Sequence, residues 1–295
     1  KIINFNKLIN DTLNFEYGRS LEFLNKTKAA EAIFLNVVSI PETDARFNRY
    51  TKFQSLFWLK NYYYRRIGNY GVIDTLSANK LLRVSEELLS VVKNTDYLEP
   101  NNIYSVYGDI VVASIITKDQ NNIDLYESKI LSLLNNPDYP SLTQIDLGLF
   151  YYTIHKLKVY FEIGKDYEKA KFYAYKNAQL KKYLHGEFSV EYEKELFSYQ
   201  NIMQLKMFDY EEAYKISLIR AEIVKALFSE QSAENLEILF NQYQIRSNQG
   251  EYKKGLTLLE KAIEIKEKID CKNLKLCDDV WFAYLICLNS NKIYN

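Results

Sequence analysis

The sequence Gly164-Lys-Asp-Tyr167-Glu-Lys-Ala170 recurs twice towards the C-terminus with small changes. It returns as Met207-Phe-Asp-Tyr210-Glu-Glu-Ala213 and as Gln249-Gly-Glu-Tyr252-Lys-Lys-Gly255. The interval between the tyrosines of successive copies is nearly constant, at 43 and then 42 (210 − 167 and 252 − 210). A nearly fixed period of this length indicates a repeat protein, in which each copy marks one structural unit.

Each copy joins two amphipathic segments. Around Tyr252, apolar residues recur at helical spacing on both sides: Leu236, Leu239, Phe240 and Tyr243 before it, and Leu256, Leu259 and Ile263 after it. We therefore predict helix, tight turn and helix, with glycine or a residue that tolerates positive φ at the turn. The tyrosine ring is predicted to fill the wedge between the helices. The small residue three positions later is predicted to let the helices pack closely; it is Ala170, Ala213 or Gly255.

The composition favours helices over strands. The 295 residues include 9 Gly and 4 Pro, whereas an all-β sandwich or barrel needs a turn about every 8–12 residues. Lys+Arg and Asp+Glu both number 38, so the formal net charge is zero. A balanced chain lacks the basic footprint of nucleic-acid binding, and its apolar runs fall short of the ~18 residues of a membrane span. We therefore expect no nucleic-acid partner and no membrane insertion of this segment.

Because of its Gly/Asp-x-Tyr-x-x-Ala turns and the later small residue Ala262, the chain resembles the tetratricopeptide repeat family. The spacing is similar to that of the long-helix variants in kinesin-light-chain-like repeats and bacterial regulators. The resemblance implies an all-α fold, a right-handed α-solenoid of about six to seven stacked antiparallel helix hairpins. Three residues depart from the family pattern, because apolar or aromatic side chains are usual at Gln200, Gln242 and Ser217.

The clear repeats occupy residues 141–295, and residues 1–140 are predicted to hold degenerate ones. One weak copy is Gly68-Asn69-Tyr70, which has similar turn chemistry between two predicted helices. Another predicted hairpin pairs 102–117 with 123–134, and residues 1–40 are predicted to form one more.

The register also predicts how the chain ends. Tyr294 follows Tyr252 at the same interval as the earlier copies (294 − 252), so a further turn and second helix are predicted to start there. The last repeat is then truncated, and we expect the natural protein to continue beyond Asn295.

Residues that could carry catalysis are few. The chain has two histidines, His155 and His185, and neither stands at a recognisable spacing from a nucleophile. The cysteines Cys271, Cys277 and Cys287 fit no zinc-ligand spacing, although a bridge between the first two stays open. We therefore predict no enzyme activity, cofactor or metal in this segment, with any catalytic output in a separate domain or partner.

The resemblance implies that the first helix of each hairpin lines a concave groove. Aligned on the turns, the candidate ligand- or peptide-binding residues are Tyr152, His155, Lys156, Tyr199, Lys206, Asn241, Gln244 and Asn248. In kinesin-light-chain-like repeats, asparagines at such positions hold the bound peptide, and amides offer both donors and acceptors to a peptide backbone. The alternative is that these residues are solvated side chains on exposed helix faces.

An earlier copy places Trp58, Tyr62 and Arg65 on the equivalent face, as a second candidate patch. Aromatic residues with arginine are typical of interface hot spots, but they could instead pack between helices. The positions of the two-carboxylate clamp of chaperone-binding members hold His155, Val159, Ser198 and Ile202. An Hsp70 or Hsp90 tail is therefore not an expected ligand.

The sequence thus predicts a non-catalytic protein- or peptide-binding scaffold or sensor, the regulatory part of a larger, bacterial protein. The alternative is a peptide-pheromone receptor of the bacterial quorum-sensing class, although residues 1–66 show no basic recognition helix for DNA. The partner's identity and the oligomeric state stay open. So does the compartment: the cytoplasm is slightly favoured, and the periplasm requires a removed signal peptide.

Overall fold

The computed structural model describes residues 11–44, 47–67, 73–93, 100–135, 147–269 and 274–294. Within these ranges the chain forms thirteen α-helices and no strand. The helices are α1 Asp11–Phe23, α2 Thr27–Val38, α3 Arg49–Arg66, α4 Thr75–Val92, α5 Pro100–Thr117, α6 Gln120–Leu134, α7 Leu147–Ile163, α8 Tyr167–His185, α9 Val190–Ile202, α10 Tyr210–Leu227, α11 Ala233–Asn248, α12 Tyr252–Lys266 and α13 Leu274–Tyr294.

The helices group into two compact units, Lys1–Tyr160 and Phe161–Asn295. In the first unit, α1 packs on α2, α3 on α4 and α5 on α6, and each pair also packs on the next. In the second unit, α8 to α13 pack in the same consecutive order. Each unit is therefore a stack of helix hairpins, which confirms the predicted all-α solenoid class. The predicted boundary after residue 140 lies among residues 136–146, outside the described residues.

The turn signature works through a left-handed residue followed by an acidic cap. The residues with positive φ are Lys165 (64°), Phe208 (57°) and Gly250 (77°), so in the first copy the left-handed residue follows Gly164. Next come Asp166 and Asp209, whose carboxylates accept hydrogen bonds from the backbone N–H groups three residues on. These caps satisfy an otherwise unpaired N–H of the first turn, which explains why α8 and α10 begin at the signature tyrosines.

The degenerate half uses the same turn. Lys118 has a φ of 61° and precedes Asp119, which caps α6 in the same way. At Lys118 and Lys165, the following N–H bonds to the carbonyl five residues before it, as in a Schellman motif. Asn25 (φ 58°) forms this turn between α1 and α2, which confirms the predicted first hairpin. The copy at Gly68-Asn69-Tyr70 lies outside the described residues.

The small difference between the two repeat intervals has a structural cause. The step from the Ser189 cap of α9 to the Asp209 cap of α10 is one position longer than the step from Ser232 to Glu251 (209 − 189 against 251 − 232). The extra residue is absorbed by a π-helical turn, Met203–Met207, at the end of α9. For that reason the Asp209 N–H bonds to the Met203 carbonyl, six residues back rather than five.

The small signature residues are buried as predicted. Ala170 and Ala213 are 0% exposed, and a Cβ added at Gly255 would lie 3.2 Å from the Tyr243 ring. The wedge role of the tyrosine is wrong for Tyr252, whose side chain is 61% exposed. Tyr252 is the first residue of α12. Because a helical side chain points back towards the N-terminus, its ring is directed towards the connecting turn and not towards the facing helix.

Replacing Ala213 by Leu should therefore lower the free energy of unfolding by about 1–3 kcal/mol, because it overpacks a closed contact. Urea denaturation of the full chain measures this. Ala233→Leu, at the half-exposed start of α11, is the control and should change stability by no more than about 0.5 kcal/mol. Equal effects at both positions would contradict the close-packing role.

The last helix contradicts the predicted turn before Tyr294. α13 runs from Leu274 to Tyr294 without a break, so no turn precedes Tyr294. The reason is local, since no acidic cap stands before Tyr294, unlike the other signature tyrosines. Cys277 and Val280 of α13 are buried in a core with Leu259 of α12. Cys287 is a free thiol, and Cys271 lies outside the described residues.

Candidate binding faces

α11 carries a polar stripe on one side and core residues on the other. Leu236 and Ile245 are buried, whereas Gln244 and Asn248 are exposed and Asn241 is partly so. The Asn241 Nδ2 donates to the Glu237 carbonyl at 3.1 Å, one turn back. The stripe therefore presents three amides, at i, i+3 and i+7, on a helix whose other side is fixed in the core.

The end of α11 is held by Arg246. Its Nη1 donates to Glu251 Oε2 at 2.7 Å and to Gln249 Oε1 at 2.9 Å, on the turn towards α12. Its guanidinium lies 3.5 Å from the ring centroid of Tyr214 on α10. A planar cation stacked on an aromatic ring and bonded to a carboxylate restrains both neighbours, so the stripe lies on a rigid element.

Gln200 and Gln242, which depart from the repeat pattern, are buried and form hydrogen bonds to the neighbouring helix α10. Arg220 of α10 pairs with Glu193 at 2.7 Å and donates to the Gln200 amide oxygen at 2.8 Å. Arg220 is buried, and burial lowers the pKa of its guanidinium against the opposing charge of Glu193. The Gln242 amide similarly reaches the Ser217 carbonyl at 3.4 Å. These polar residues thus replace apolar packing by bonds between adjacent helices.

The face of α9 differs from the predicted one. Tyr199 is buried, and its ring lies 5.9 Å from that of Tyr175 on α8. Counted from the helix cap, the positions equivalent to Asn241 and Gln244 are Ser198 and Asn201, both partly exposed. The π-helical turn explains the error: an extra residue before the turn rotates every earlier position by about 100°. Sequence alignment on the turn therefore missed Ser198 and Asn201.

Lys206 lies near the end of the π-helical turn Met203–Met207, and it precedes Tyr210 by the same four positions by which Asn248 precedes Tyr252. Its side chain is exposed, and its Nζ lies 3.6 Å from Glu162 Oε1. A charged side chain with this exposure can exchange a surface partner at little cost.

The predicted residues of α7 have different environments. Tyr152 is exposed, and His155 is half-buried with its Nδ1 3.3 Å from the Tyr151 hydroxyl. Lys156 turns inward, where its Nζ lies 2.6 Å from Asp109 Oδ1. Lys156 is therefore part of an ionic cluster rather than a free side chain on an exposed face.

We call this the lysine–aspartate cluster: Lys60 of α3, Asp109 of α5 and Lys156 of α7. Lys60 Nζ lies 2.6 Å from the other carboxylate oxygen of Asp109. The side chains of Lys60, Asp109 and Lys156 are 3%, 1% and 14% exposed. The cluster thus joins α3, α5 and α7 through one buried carboxylate.

The electrostatics of the cluster follow from its composition. Burial alone would raise the pKa of Asp109, but the charges and hydrogen bonds of Lys156 and Lys60 outweigh it and hold that pKa below its ordinary value. Burial lowers the pKa of Lys156, the charge of Lys60 adds to this, and Asp109 opposes it. The pair of lysines therefore stabilises the carboxylate, while the lysines repel one another.

A stability change with pH follows. Because the folded pKa of Asp109 is depressed, its stabilisation is complete above the unfolded-chain value of about 3.9 and is lost as the pH falls through the folded pKa. The free energy of unfolding, measured with urea between about pH 5 and 3, should fall more steeply for wild type than for Lys60→Met/Asp109→Leu/Lys156→Met. Parallel curves would contradict the assignment.

The second predicted patch is mostly packed inside the first unit. Trp58 lies between Phe34, at 4.4 Å between centroids, and Tyr62, at 5.0 Å. Tyr62 is buried, and its hydroxyl accepts a hydrogen bond from Arg66 at 2.8 Å. Arg65 is exposed, 3.8 Å from Glu22. For the two aromatics, the alternative of packing between helices is confirmed, because α1 and α2 cover this side of α3.

The described residues contain neither a candidate metal site nor a candidate membrane span. Among them, no group of three or more His, Cys, Asp or Glu side chains is placed to hold a metal ion. In the same ranges, no helix combines the length and apolar character needed to cross a membrane.

Comparison with known proteins finds solved structures that resemble this chain in fold. No family model matches the sequence, and no curated protein matches it. Among solved structures, BtubC (BKLC) from P. vanneervenii is 14% identical, with 74% of this chain and 88% of that chain covered and a TM-score of 0.42. A putative kinesin light chain from Podosopora anserina with nearly identical TPR-like repeats is 12% identical, with 73% and 97% covered and a TM-score of 0.49.

The chain itself is an all-α solenoid of stacked helix hairpins, as the turn signature predicts. At these identities the similarity concerns fold alone and does not indicate what this chain binds.

Proposed function

We propose that this chain is a non-catalytic protein-interaction module that binds an extended peptide segment along the first-helix faces of its hairpins. The observation that carries the proposal is the stripe on α11, where Asn241, Gln244 and Asn248 face away from the core. In this role the chain acts as a scaffold or sensor, and any catalytic output belongs to a partner or another segment.

The spacing of the stripe fits a peptide backbone. Asn241 and Asn248 are seven residues apart, which on a helix is about 10 Å. An extended peptide covers this distance in about three residues. Each amide can donate to a peptide carbonyl and accept from a peptide N–H, so the stripe can bond to the main chain and tolerate several side chains.

The charges of the described residues support binding rather than bond-making. Arg220 and Asp109 are buried and joined to side chains on neighbouring helices. Their bonds join neighbouring helices, whereas Gln244 and Asn248 of α11 are exposed to solvent. Ser198 and Asn201 extend the same chemistry to α9.

The proposal can be tested without a known partner. Peptides are selected from a displayed random library on the full chain, and the tightest is studied by hydrogen–deuterium exchange. We expect slower exchange in α11, Ala233–Asn248, on peptide addition. The matched reference is α12, Tyr252–Lys266, from the same hairpin. Protection of α12 with none in α11, or failure to select any peptide, would overturn the proposal.

A further inference from the structure

The second unit has a pocket of about 320 Å³ that is bordered by α9, α10 and α11. Two phenylalanines form part of its wall, Phe197 on α9 and Phe228 at the end of α10. Phe228 is 46% exposed, whereas Arg220 and Val224 of α10 are buried at the base. Pockets for whole small molecules span about 300–1,000 Å³, so one of this size suits a single side chain of a larger ligand.

The pocket has more negative than positive charge. The described residues that line it include three carboxylates and two cations: Glu193, Glu234, Glu237, Lys194 and Arg220. Arg220 pairs with Glu193 at 2.7 Å, so these two charges cancel. Glu234 and Glu237 then face one remaining cation among these residues, Lys194. The side chains of Glu234 and Glu237 are exposed, so a ligand can reach both carboxylates.

The charge of Glu237 reaches the base of the pocket. Burial lowers the pKa of the Arg220 guanidinium, and the negative charges of Glu193 and Glu237 oppose this effect. Glu237 therefore acts across from α11 to a buried group on α10, although its own side chain is exposed. Because apolar walls screen charges less than water does, the carboxylates attract a cation more strongly here than on an open surface.

The pocket is continuous with the amide stripe of α11. Glu234 and Glu237 precede Asn241 by seven and four positions (241 − 234 and 241 − 237), which is the spacing of residues on one helix face. The Asn241 Nδ2 donates to the Glu237 carbonyl at 3.1 Å. Four positions on a helix are about 6 Å, or about two residues of an extended peptide. A peptide along the stripe therefore brings a nearby side chain to the pocket.

We propose that this pocket binds one basic side chain of the peptide, arginine in preference to lysine. The stem packs against Phe197 and Phe228, and the charged end meets Glu234 and Glu237. This inference rests on the proposed function for the peptide, but the pocket is defined by its own shape and charge. Long basic side chains carry an apolar stem and a charged end, as the walls and carboxylates require. A guanidinium also stacks on aromatic rings and bonds to carboxylates through two N–H groups.

The first test uses the full chain and a simple cation. Phenylalanines are labelled with fluorine, and n-butylguanidinium is compared with n-butylurea, a neutral molecule of nearly the same shape. The Phe197 and Phe228 signals, assigned with leucine variants, should shift saturably with the cation and share one dissociation constant. Phe208 is the reference, because it is 66% exposed but does not line the pocket. Shifts no larger than that of Phe208, or equal shifts with the urea, would overturn the inference.

A pair of charge variants tests the role of the carboxylates. Glu234→Gln/Glu237→Gln removes two negative charges from the pocket and should abolish the preference for the cation over the urea. Glu222→Gln/Glu230→Gln removes the same charge from exposed pairs with Lys225 outside the pocket, and it should keep that preference. Equal effects of the two double variants would show general charge attraction and would contradict a specific site.

A second arm separates this inference from the proposed function. Peptides selected on wild type should be richer in arginine and lysine than the starting library. Replacing the basic residue with citrulline, its neutral analogue, should weaken binding to wild type at least about tenfold, and it should have little effect with Glu234→Gln/Glu237→Gln. Selected peptides without basic residues would overturn this inference and leave the proposed function standing. Binding of butylguanidinium without any selected peptide would leave the cation pocket standing and remove the proposed function.

Discussion

Asp109→Asn is expected to lower the free energy of unfolding by about 3–5 kcal/mol, the range for breaking a buried ion pair from one side. The carboxylate is the shared acceptor of Lys60 and Lys156, each at 2.6 Å. Without its charge, two buried ammonium groups repel each other across three helices. Asparagine can accept one of the bonds but supplies no charge, so the loss is electrostatic rather than steric.

Urea denaturation of the full chain measures this effect. Glu187→Gln is the control, because it removes the exposed pair with Lys182 and should cost less than about 1 kcal/mol. Replacing all three members of the lysine–aspartate cluster with Met, Leu and Met should recover most of the loss, since apolar replacement of a buried cluster is often neutral. An Asp109→Asn protein as stable as wild type would refute the charge argument.

Arg220→Ala should lower the free energy of unfolding by a similar amount, about 3–5 kcal/mol. It removes the partner of Glu193 and the donor to the buried Gln200 oxygen, and it leaves a void beside Phe197, whose ring centroid is 4.4 Å from the guanidinium. The Gln200 amide is fully buried, and its Nε2 already has no hydrogen-bond partner among the described residues. The variant therefore leaves the whole amide unsatisfied.

Two further variants are compared with Arg220→Ala in the same urea denaturation measurement. Lys225→Ala, on the same helix, removes exposed pairs with Glu222 and Glu230 and should cost less than about 1 kcal/mol. Arg220→Met with Gln200→Leu should recover part of the loss, because an apolar pair leaves fewer groups unsatisfied. If Arg220→Ala behaved like Lys225→Ala, Arg220 would not hold α9 to α10.

The turns could be predicted from the sequence because their causes are local. A left-handed residue, an acidic cap and a small residue three places after the tyrosine all lie within seven positions. α8 and α10 accordingly begin at Tyr167 and Tyr210 after capping aspartates. α12 begins at the equivalent Tyr252, although the Glu251 side chain makes no capping bond. The predicted turn before Tyr294 failed for the same local reason, since no acidic cap precedes it.

The candidate faces were only partly predictable. Asn241, Gln244 and Asn248 were placed correctly on an exposed side of α11, because their helix has no insertion before the turn. Tyr199 was misplaced because the longer interval from Tyr167 to Tyr210 shows that one residue is inserted but not where it is inserted. A single inserted residue is enough, since each residue rotates the face by about 100°.

The lysine–aspartate cluster could not be found from spacing. Lys60 and Asp109 are 49 residues apart, and Asp109 and Lys156 are 47 apart. One signal was present: Asp109 directly precedes the apolar run Ile110–Ala113, and a carboxylate in such a run needs a partner. The sequence indicates that need, but only the stacking of α3, α5 and α7 supplies the partners.

Calorimetry with a selected peptide measures whether the α11 amides hold the peptide. Asn241→Ala/Asn248→Ala is compared with Asn79→Ala/Gln179→Ala, which removes exposed amides from the second helices α4 and α8. Asn79 bonds its carbonyl one turn back, as Asn241 does, so helix effects are matched. Loss of two hydrogen bonds should weaken binding at least about tenfold in the first variant, with no change in the second. Equal dissociation constants for wild type and both variants would contradict the account.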